Sequence, residues 1–450
     1  MSPRRRGGRT AVLDLTPLRE SPPFRRLITG QSLAMMASGI LQVTTPIQVY
    51  QATGSAFLVG LVGFVGFIPL LVSSLLGGVA ADLYDRRKLL MVTSACCVTI
   101  SLTLMLLAAI DDRQIIGLFI ATAVQSLVVA TDTPTRRAAM PRLVPRQHFV
   151  AANSLLYGVN NVGTIGGPLV GGALLTSAGF ATSYLVSALC YGGVFLAAWR
   201  LPSLPATVSR DAERTGDAPP TRRSNIGASI EGLRFLRSQP ILLTAMLADF
   251  FATIFAARRA LYPVLAVSTY HGGVHATTLM YAAPAAGALL VVLTGGWLGA
   301  VRRLGLGIVV AITIWGMSTI CLGLTHTLWV GLLLLLVGGA ADAVNVVFRA
   351  TTMQLIAPNE MQGRMSGLHA TFSNGGPRLG DLEAGVVSSL FSPAVSVTSG
   401  GVGCCAVAVL VAVTSPGFLR WRAPTDLRTT AIPQPGPDPT ASAEGVGAPG

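Results

Sequence analysis

Charged residues are scarce in this chain. Of its 450 residues, 11% are Asp, Glu, Lys or Arg, whereas 51% are hydrophobic. Because a soluble domain normally has roughly a quarter of its residues charged, so few charges could not cover a surface that faces water. The mean hydropathy of +0.62 agrees with this exclusion. The composition therefore predicts a polytopic membrane protein.

Sequence signatures of catalysis, nucleotide binding and metal binding are lacking as well. The chain contains no Gly-x4-Gly-Lys-Ser/Thr loop, which argues against direct drive by ATP. Its six cysteines all fall within apolar stretches, and none has metal-ligand spacing with a histidine. Such cysteines are typical of helix packing. We therefore predict that the protein is not an enzyme and that it binds no metal and no cofactor.

The net charge of +13 is unevenly distributed along the chain. Most of the cations lie in segments that would share one side of a membrane, and the opposite loops are short and poor in cations. This asymmetry is the positive-inside bias, so it indicates an orientation rather than a nucleic-acid partner. It predicts that both termini are cytoplasmic.

Apolar stretches of about 20 residues, the length that crosses the hydrocarbon core, recur along the chain. They predict twelve helices, at 27–50, 57–80, 89–110, 115–137, 148–176, 180–200, 240–266, 276–300, 305–326, 328–350, 363–391 and 395–419. The predicted fold is all-α, with two six-helix pseudo-repeats. Its parts are a basic cytoplasmic N-terminal arm (1–26), a first bundle (27–200), a cytoplasmic linker (201–239), a second bundle (240–420) and a disordered tail (421–450).

The two bundles repeat each other in sequence. A shift of 213 positions places Arg136 on Arg349, and the same shift places Gly163 on Gly376. Agreement of several positions in one register indicates an internal duplication. Parallel six-helix repeats are an established architecture of membrane transporters.

A charged turn follows the second predicted helix. It contains Gly78, Asp82, Arg86 and Arg87. Glycine lets helices approach closely, and a partner cation can hold an acid at a helix end. The turn resembles the signature loop of the major facilitator superfamily, Gly-x-Leu-Ala-Asp-Arg-x-Gly-Arg-Lys/Arg, although three intervening positions depart from it. The resemblance implies a membrane transporter with a latch at the inner ends of two helices; an ordinary charged connection is the alternative.

A glycine-rich motif lies in the fifth predicted helix. Glycines permit close helix packing, and a proline kinks a helix and removes a backbone donor. The motif resembles the Gly-x-x-x-Gly-Pro-x-x-Gly-Gly pattern of proton-coupled exporters of the same superfamily. The resemblance implies a gating role and favours export over uptake, with close packing alone as the alternative. The matching residues are Gly163, Gly167, Pro168, Gly171 and Gly172.

Carboxylates occur inside several predicted spans, where an ionisable residue costs about 2.5–3.5 kcal/mol to insert. A carboxylate that carries protons must bind and release them, and a paired cation opposes this. Asp249 and Glu383 have no cation at pairing distance on their own helices, so they are the leading proton carriers. The complete set of proton-coupling candidates is Asp249, Asp342, Asp381 and Glu383.

Two acid and cation pairs have helical spacing. Asp132 and Arg136 lie near the inner end of the fourth predicted helix and form a candidate gating pair. Arg378 and Asp381 lie near mid-depth of the eleventh predicted helix. Mutual neutralisation, which would lock helices together, is the alternative role for such charges.

The remaining buried cations could attract an anionic substrate. Arg258 and Arg259 are predicted in the outer half of the seventh helix. His369 is included because histidine titrates near neutral pH. The substrate-binding candidates are Arg258, Arg259, Arg378 and His369.

Beyond the superfamily, the chain resembles its enterobactin-exporter branch, above all in the run 375–385. The resemblance implies a secondary active transporter in the bacterial cytoplasmic membrane. Such a protein, a multi-pass monomer in lipid, would export a siderophore or similar small amphiphilic metabolite in exchange for protons by alternating access. Because fold likeness alone does not name a cargo, a broad-specificity drug efflux pump and a non-transporting membrane sensor are the alternatives.

Overall fold

The structure is a computed structural model that describes residues 16–69, 84–110, 114–145, 148–204, 231–358 and 361–422. All regular secondary structure in these ranges is helical, so the predicted all-α class is confirmed. Gly78 and Asp82 of the charged turn lie outside the described residues. Most of the predicted linker and the outer parts of both termini lie outside them too.

We number the long helices in chain order. In the first half, up to residue 204, these are α1 (Pro22–Thr53), α2 (Ala56–Val65), α3 (Arg86–Ile110), α4 (Ile115–Leu143) and the run Phe149–Trp199, whose arms 149–178 and 180–199 we call α5 and α6. In the second half, from residue 231, they are α7a (Pro240–Ala256), α7b (Tyr262–Ser268), α8 (Gly273–Thr294), α9 (Leu304–Leu324), α10 (Leu328–Ile356), α11 (Gln362–Leu390) and α12 (Pro393–Thr414).

Within the described residues, eight helices are long and apolar enough to cross a membrane. One of them, Ala151–Trp199, has 49 residues, more than twice the length that one crossing requires. A shorter apolar helix, Ala56–Pro69, consists of α2 and its continuation after Gly66, and it ends at the edge of the described residues. The chain is a multi-pass membrane protein, and the count of twelve crossings stays a prediction.

The break between α5 and α6 lies at Gly179. Its backbone has φ 81° and ψ −174°, a conformation that is essentially restricted to glycine. Within the part of the chain that the structure describes, a Cβ there would meet no atom within 4 Å, so glycine is required for its backbone freedom and not for its size. The break falls where the sequence predicts the fifth helix to end.

A second break divides α7, where the sequence predicts one continuous helix. α7a ends at Ala256, a 3₁₀ turn covers Arg259–Leu261, and Pro263 lies in the first turn of α7b. Proline has no N–H, and its ring clashes with the carbonyl four residues earlier, here that of Arg259. Arg258 and Arg259 therefore lie in the break. The prediction that they lie along the outer half of a continuous helix is wrong.

The halves pack together at one end of the assembly. We call this the distal end; it carries Gly54 and Gly179, and the opposite, terminal end carries Pro22 and Arg420. One hydrophobic cluster at the distal end combines residues of both halves: Val43, Ile47 and Leu175 with Leu265, Met280 and Ala384.

At the terminal end each half has a hydrophobic cluster of its own. The cluster of the first half includes Phe24, Leu90 and Leu143, and that of the second half includes Met246 and Met353. The packing therefore joins the halves distally.

Candidate functional site

The break in α7 leaves backbone groups that lipid cannot satisfy, and an unsatisfied group at membrane depth costs several kcal/mol. Two side chains from other helices pair with them. Oδ1 of Asp381, on α11, accepts a hydrogen bond from the Ala260 amide at 3.0 Å. The hydroxyl of Tyr281, on α8, donates to the carbonyl of Arg259 at 3.2 Å. The break thereby brings polar groups of α7, α8 and α11 together.

Arg258 is buried within this break, with 1% of its surface exposed. Its Nε donates to the carbonyl of Phe255 at 2.8 Å, and its Nη1 pairs with Oε2 of Glu383 on α11. The guanidinium lies against Gly400 of α12, where a Cβ would collide with it. Glu383 therefore has a cation partner from another helix, which removes the reason to rank it first as a proton carrier. Arg258 also lines the cavity described below, and among the described residues no group forms a hydrogen bond with its Nη2, so its predicted role in substrate binding stays a prediction.

Asp249 is a second carboxylate with a cation partner from another helix. It is 2% exposed, and α10 supplies both groups that bind it. One carboxylate oxygen accepts from Nδ2 of Asn345 at 2.6 Å, and the other pairs with Nη1 of Arg349. The expectation that Asp249 lacks a cation holds only for its own helix. Because removal of one partner from a buried ion pair costs about 3–5 kcal/mol, this pair fastens α7a to α10.

A cavity of about 150 Å³ lies inside the second half, next to these pairs. Helices α7 to α11 line it, and Asp342 of α10 and Arg259 are among the lining residues. Among the described residues, Asp342 has no ion-pair or hydrogen-bond partner, and Arg259 has no ion-pair partner. The cavity therefore presents an available carboxylate and an available guanidinium to water, a proton or a ligand.

Arg378 and Asp381 do not form the ion pair that their spacing predicts, within the part of the chain that the structure describes. The Arg378 guanidinium donates to Oγ of Ser126, on α4, at 3.2 Å. The Asp381 side chain lies against Gly63 of α2, where a Cβ would be 2.8 Å from Oδ2. The free Ala260 amide in the α7 break binds Asp381 and holds it away from Arg378. Both side chains reach into the first half of the protein.

His369 lies on α11 but is not one of the residues that line the cavity. Its Nε2 is buried, and no described residue forms a hydrogen bond with it. Its predicted role in substrate binding stays a prediction.

The first half holds a smaller polar site around the predicted pair on α4, and that pair is confirmed. Nε of Arg136 is 2.5 Å from Oδ2 of Asp132, and the Thr93 hydroxyl donates to the same carboxylate at 3.0 Å. These residues line a cavity of about 30 Å³ together with Tyr191. That volume suffices for about two water molecules, so the site is too small for a substrate.

The glycine motif of α5 packs against α1. A Cβ on Gly167 would lie 2.7 Å from Cα of Gly39, and Pro168 touches the same glycine. A Cβ on Gly171 would lie 2.9 Å from Cα of Ile40. Two helix backbones come this close only where side chains are absent. Gly163 belongs to the same face, where a Cβ would collide with Met35.

The last glycine of the motif has a different neighbour. Gly172 faces α8 of the second half, and a Cβ there would collide with Thr278. The counterparts of the motif one repeat later, Gly376 and Gly380, pack on α7a at Phe250 and Ile254. The packing of α11 on α7a in the second half is thus equivalent to the packing of α5 on α1 in the first half.

Arg86 and Arg87 are the residues of the signature loop that the structure describes. Arg86 begins α3 and is buried, with 4% of its surface exposed. Arg87 donates from Nη2 to the carbonyl of Trp199, at the end of α6, with a distance of 2.5 Å. The start of α3 is therefore tied to the end of α6.

Asp85 strengthens this connection at the terminal end of the first half. Its carboxylate accepts from the amides of Arg87 (2.9 Å) and Leu204 (3.2 Å) and from the hydroxyl of Ser203 (2.7 Å). Burial raises the pKa of this carboxyl, but the hydrogen bonds outweigh burial and leave the pKa below its usual 3.8. The ionised Asp85 caps α3 and binds the segment that leads into the predicted linker.

Four residues around the α7 break and its cavity are not among the sequence-based candidates: Asn345, Arg349, Tyr281 and Ser126. The repeat holds a signal for Asn345 and Arg349, because they lie 213 positions after Asp132 and Arg136. Tyr281 and Ser126 have no such signal, since their roles depend on the position of the α7 break and on contact between the halves.

Repeated membrane helices, an internal duplication and buried charge pairs between helices are typical of membrane transporters of the major facilitator type. The family whose profile matches residues 13–426 is described as transmembrane secretion effector. Because the match covers nearly the whole chain, the protein belongs to the transmembrane secretion effector family. It is a transporter and not an enzyme, as predicted.

Known proteins resemble the chain along most of its length. The enterobactin exporter EntS of Citrobacter koseri is 27% identical over 413 residues, which are 92% of this chain and 96% of the relative. A POT family transporter solved in complex with 5-aminolevulinic acid has a TM-score of 0.70 at 13% identity, covering 88% of this chain and 97% of that one. The nucleoside transporter NupG has a TM-score of 0.63 at 16% identity, covering 88% and 98%. The predicted resemblance to the enterobactin-exporter branch is confirmed, and the solved structures share the fold.

Proposed function

We propose that the protein is a secondary active transporter that exports a siderophore or similar small amphiphilic metabolite in exchange for protons. The observation that carries this proposal is the group of ionisable residues around the α7 break, beside a cavity between helices α7 to α11. Ionisable residues are kept inside membrane proteins mainly where they serve ion or substrate paths. The EntS relatives, named as enterobactin exporters, support a siderophore as the cargo.

Asp342 and Asp381 are the preferred proton carriers. Among the described residues neither has an ion-pair partner, whereas Asp249 and Glu383 are each paired with an arginine. A paired cation stabilises the charged form of a carboxylate and so opposes protonation. In this proposal Asp249 and Glu383 take part in coupling as the partners that hold Arg349 and Arg258 in place.

Alternating access is supported by the unequal packing at the two ends. The halves share a hydrophobic cluster at the distal end and have separate clusters at the terminal end. We propose that this state is closed distally, that rocking of the halves opens it, and that the pair Asp132–Arg136 takes part in gating at the terminal end. We further propose a monomer in the lipid of the bacterial cytoplasmic membrane, with both termini cytoplasmic.

The cations without an ion-pair partner among the described residues are the preferred sites for attracting the substrate. Arg259 lines the cavity without an ion-pair partner among the described residues, and Arg378 reaches the boundary between the halves. Both suit an anionic or strongly polar group on the cargo.

A deletion strain tests the proposed cargo. Secreted metabolites of the deletion strain, and of the same strain carrying the gene on a plasmid, would be compared under iron starvation and under iron sufficiency. Loss of one secreted chelator under iron starvation, with recovery on complementation, is the expected result. Unchanged chelator secretion, together with new sensitivity to a lipophilic cationic dye, would contradict the siderophore and indicate a drug efflux pump.

A further inference from the structure

Helix α2 meets α11 of the other half through bare backbone. Gly60 and Gly63 of α2, and Gly66 directly after its end, recur every third residue, and all three face α11. A Cβ on Gly60 would lie 3.0 Å from Cα of Gly385 and would collide with the carbonyl of Asp381. A Cβ on Gly63 would lie 2.8 Å from Oδ2 of that aspartate. Helices come this close only where side chains are absent.

The same surface of the first half receives a charged side chain. The Arg378 guanidinium lies where a Cβ on Gly66 would be, and it donates to the Ser126 hydroxyl at 3.2 Å. Asp381 enters one helical turn further along α11. Among the described residues neither charge has an ion-pair partner, so burying each is costly unless neutral polar groups bind it. The first half supplies the hydroxyl for Arg378, and the α7 break supplies an amide for Asp381.

We propose that Gly60, Gly63, Gly66 and Ser126 are positioning residues of the transport cycle. Together they form a receptacle on the first half that accepts Arg378 and Asp381 when the distal end closes. The inference rests on the proposed function, because it assigns residues to one step of alternating access. Since the nearest groups to Gly60 and Gly63 belong to the second half, a side chain added there opposes closure and leaves each half able to fold.

Cysteine accessibility measures this closure without a transport assay. Val43 is fully buried in the distal cluster that joins the halves. A Val43→Cys variant, with the six native cysteines replaced, would be reconstituted in lipid vesicles and labelled with a water-soluble maleimide. Gly63→Ala is expected to raise the labelling rate about tenfold, because overpacking destabilises a tight interface. Gly158→Ala is the matched control, since a Cβ at Gly158 meets no atom of the described residues within 4 Å; equal rates for the two alanine variants would overturn the inference.

Three further variants keep the test decisive if Gly63→Ala alone inserts poorly. Adding Asp381→Gly removes the side chain against which the new methyl group collides, so the double variant is expected to regain slow labelling. Ser126→Ala removes the acceptor for Arg378 and is expected to raise the labelling rate. Ser126→Thr keeps the hydroxyl and is expected to label as slowly as the protein with Ser126. Fast labelling of Ser126→Thr equal to that of Ser126→Ala would contradict the role of the hydroxyl.

Transport in the same vesicles separates this inference from the proposed function. Enterobactin is the probe, loaded on one side of the membrane under a pH gradient. Wild-type transport combined with unaltered labelling of Gly63→Ala would refute the receptacle and leave the proposed function standing. Altered labelling without any enterobactin transport would support the receptacle and refute the proposed cargo.

Discussion

Arg136 and Arg349 occupy equivalent positions in the two halves but bind their acids differently. Arg136 pairs with Asp132, four residues earlier on α4. Arg349 has Asn345 at that position and pairs instead with Asp249 on α7a. The first pair is internal to one helix, and the second joins two helices. The two halves therefore share the arginine at equivalent positions, but the acid that pairs with it lies on a different helix in the second half.

Exchanging Asp249 with Asn345, the residue that donates a hydrogen bond to it, tests whether Arg349 needs its acid on α7a. Asp249→Asn leaves a buried arginine unpaired and is expected to cost about 3–5 kcal/mol of stability. The double variant Asp249→Asn with Asn345→Asp restores the acid at the position that Asp132 holds in the first half, so it is expected to recover most of that loss. Thermal unfolding in detergent measures both variants. A double variant as unstable as the single one would show that the α7a–α10 link, and not charge neutralisation, is what matters.

Neighbouring glycines in α5 provide a packing test. A Cβ on Gly167 would lie 2.7 Å from the backbone of Gly39, whereas one on Gly166 would be 3.5 Å from the flexible end of Met36. Gly167→Ala is therefore expected to lower stability by about 1–3 kcal/mol, and Gly166→Ala is expected to change it little. The midpoint of thermal unfolding decides between them, and equal midpoints would show that the α1–α5 contact is looser than described.

The cap at Asp85 predicts a pH-dependent contribution to stability. Its pKa is lowered in the folded protein, so the stabilisation is complete above the unfolded value and disappears as the pH falls through the lowered folded value. Asp85→Ala is expected to cost about 0.5–2 kcal/mol at neutral pH, the usual range for a lost helix cap. The difference from wild type should shrink below pH 3.8. Lys88→Ala, at an exposed neighbouring residue, is the control; a constant difference at all pH values would mean that ionised Asp85 is not the source.

Helix positions and internal pairs could be predicted because they depend on local sequence. Apolar length marks most of the spans, and Asp132 and Arg136 are four residues apart. The partners of Asp249 and Glu383 could not be predicted, because Arg349 and Arg258 are 100 and 125 residues away along the chain. Pro263 signals a disturbance in α7, but the sequence does not show which side chains bind the freed backbone groups. Site chemistry in this protein is decided by contacts between helices.

Simultaneous measurement of proton flux and substrate flux tests whether Asp342 couples export to protons. Vesicles containing the wild-type protein and a trapped pH-sensitive dye would be given enterobactin on one side, with Asp342→Asn as the comparison. Substrate flux in the wild type is expected to be accompanied by proton flux in the opposite direction, and Asp342→Asn is expected to lose the proton flux while keeping its thermal stability. Equal proton flux in both proteins, or substrate flux in the wild type that does not respond to the pH gradient, would contradict coupling through Asp342.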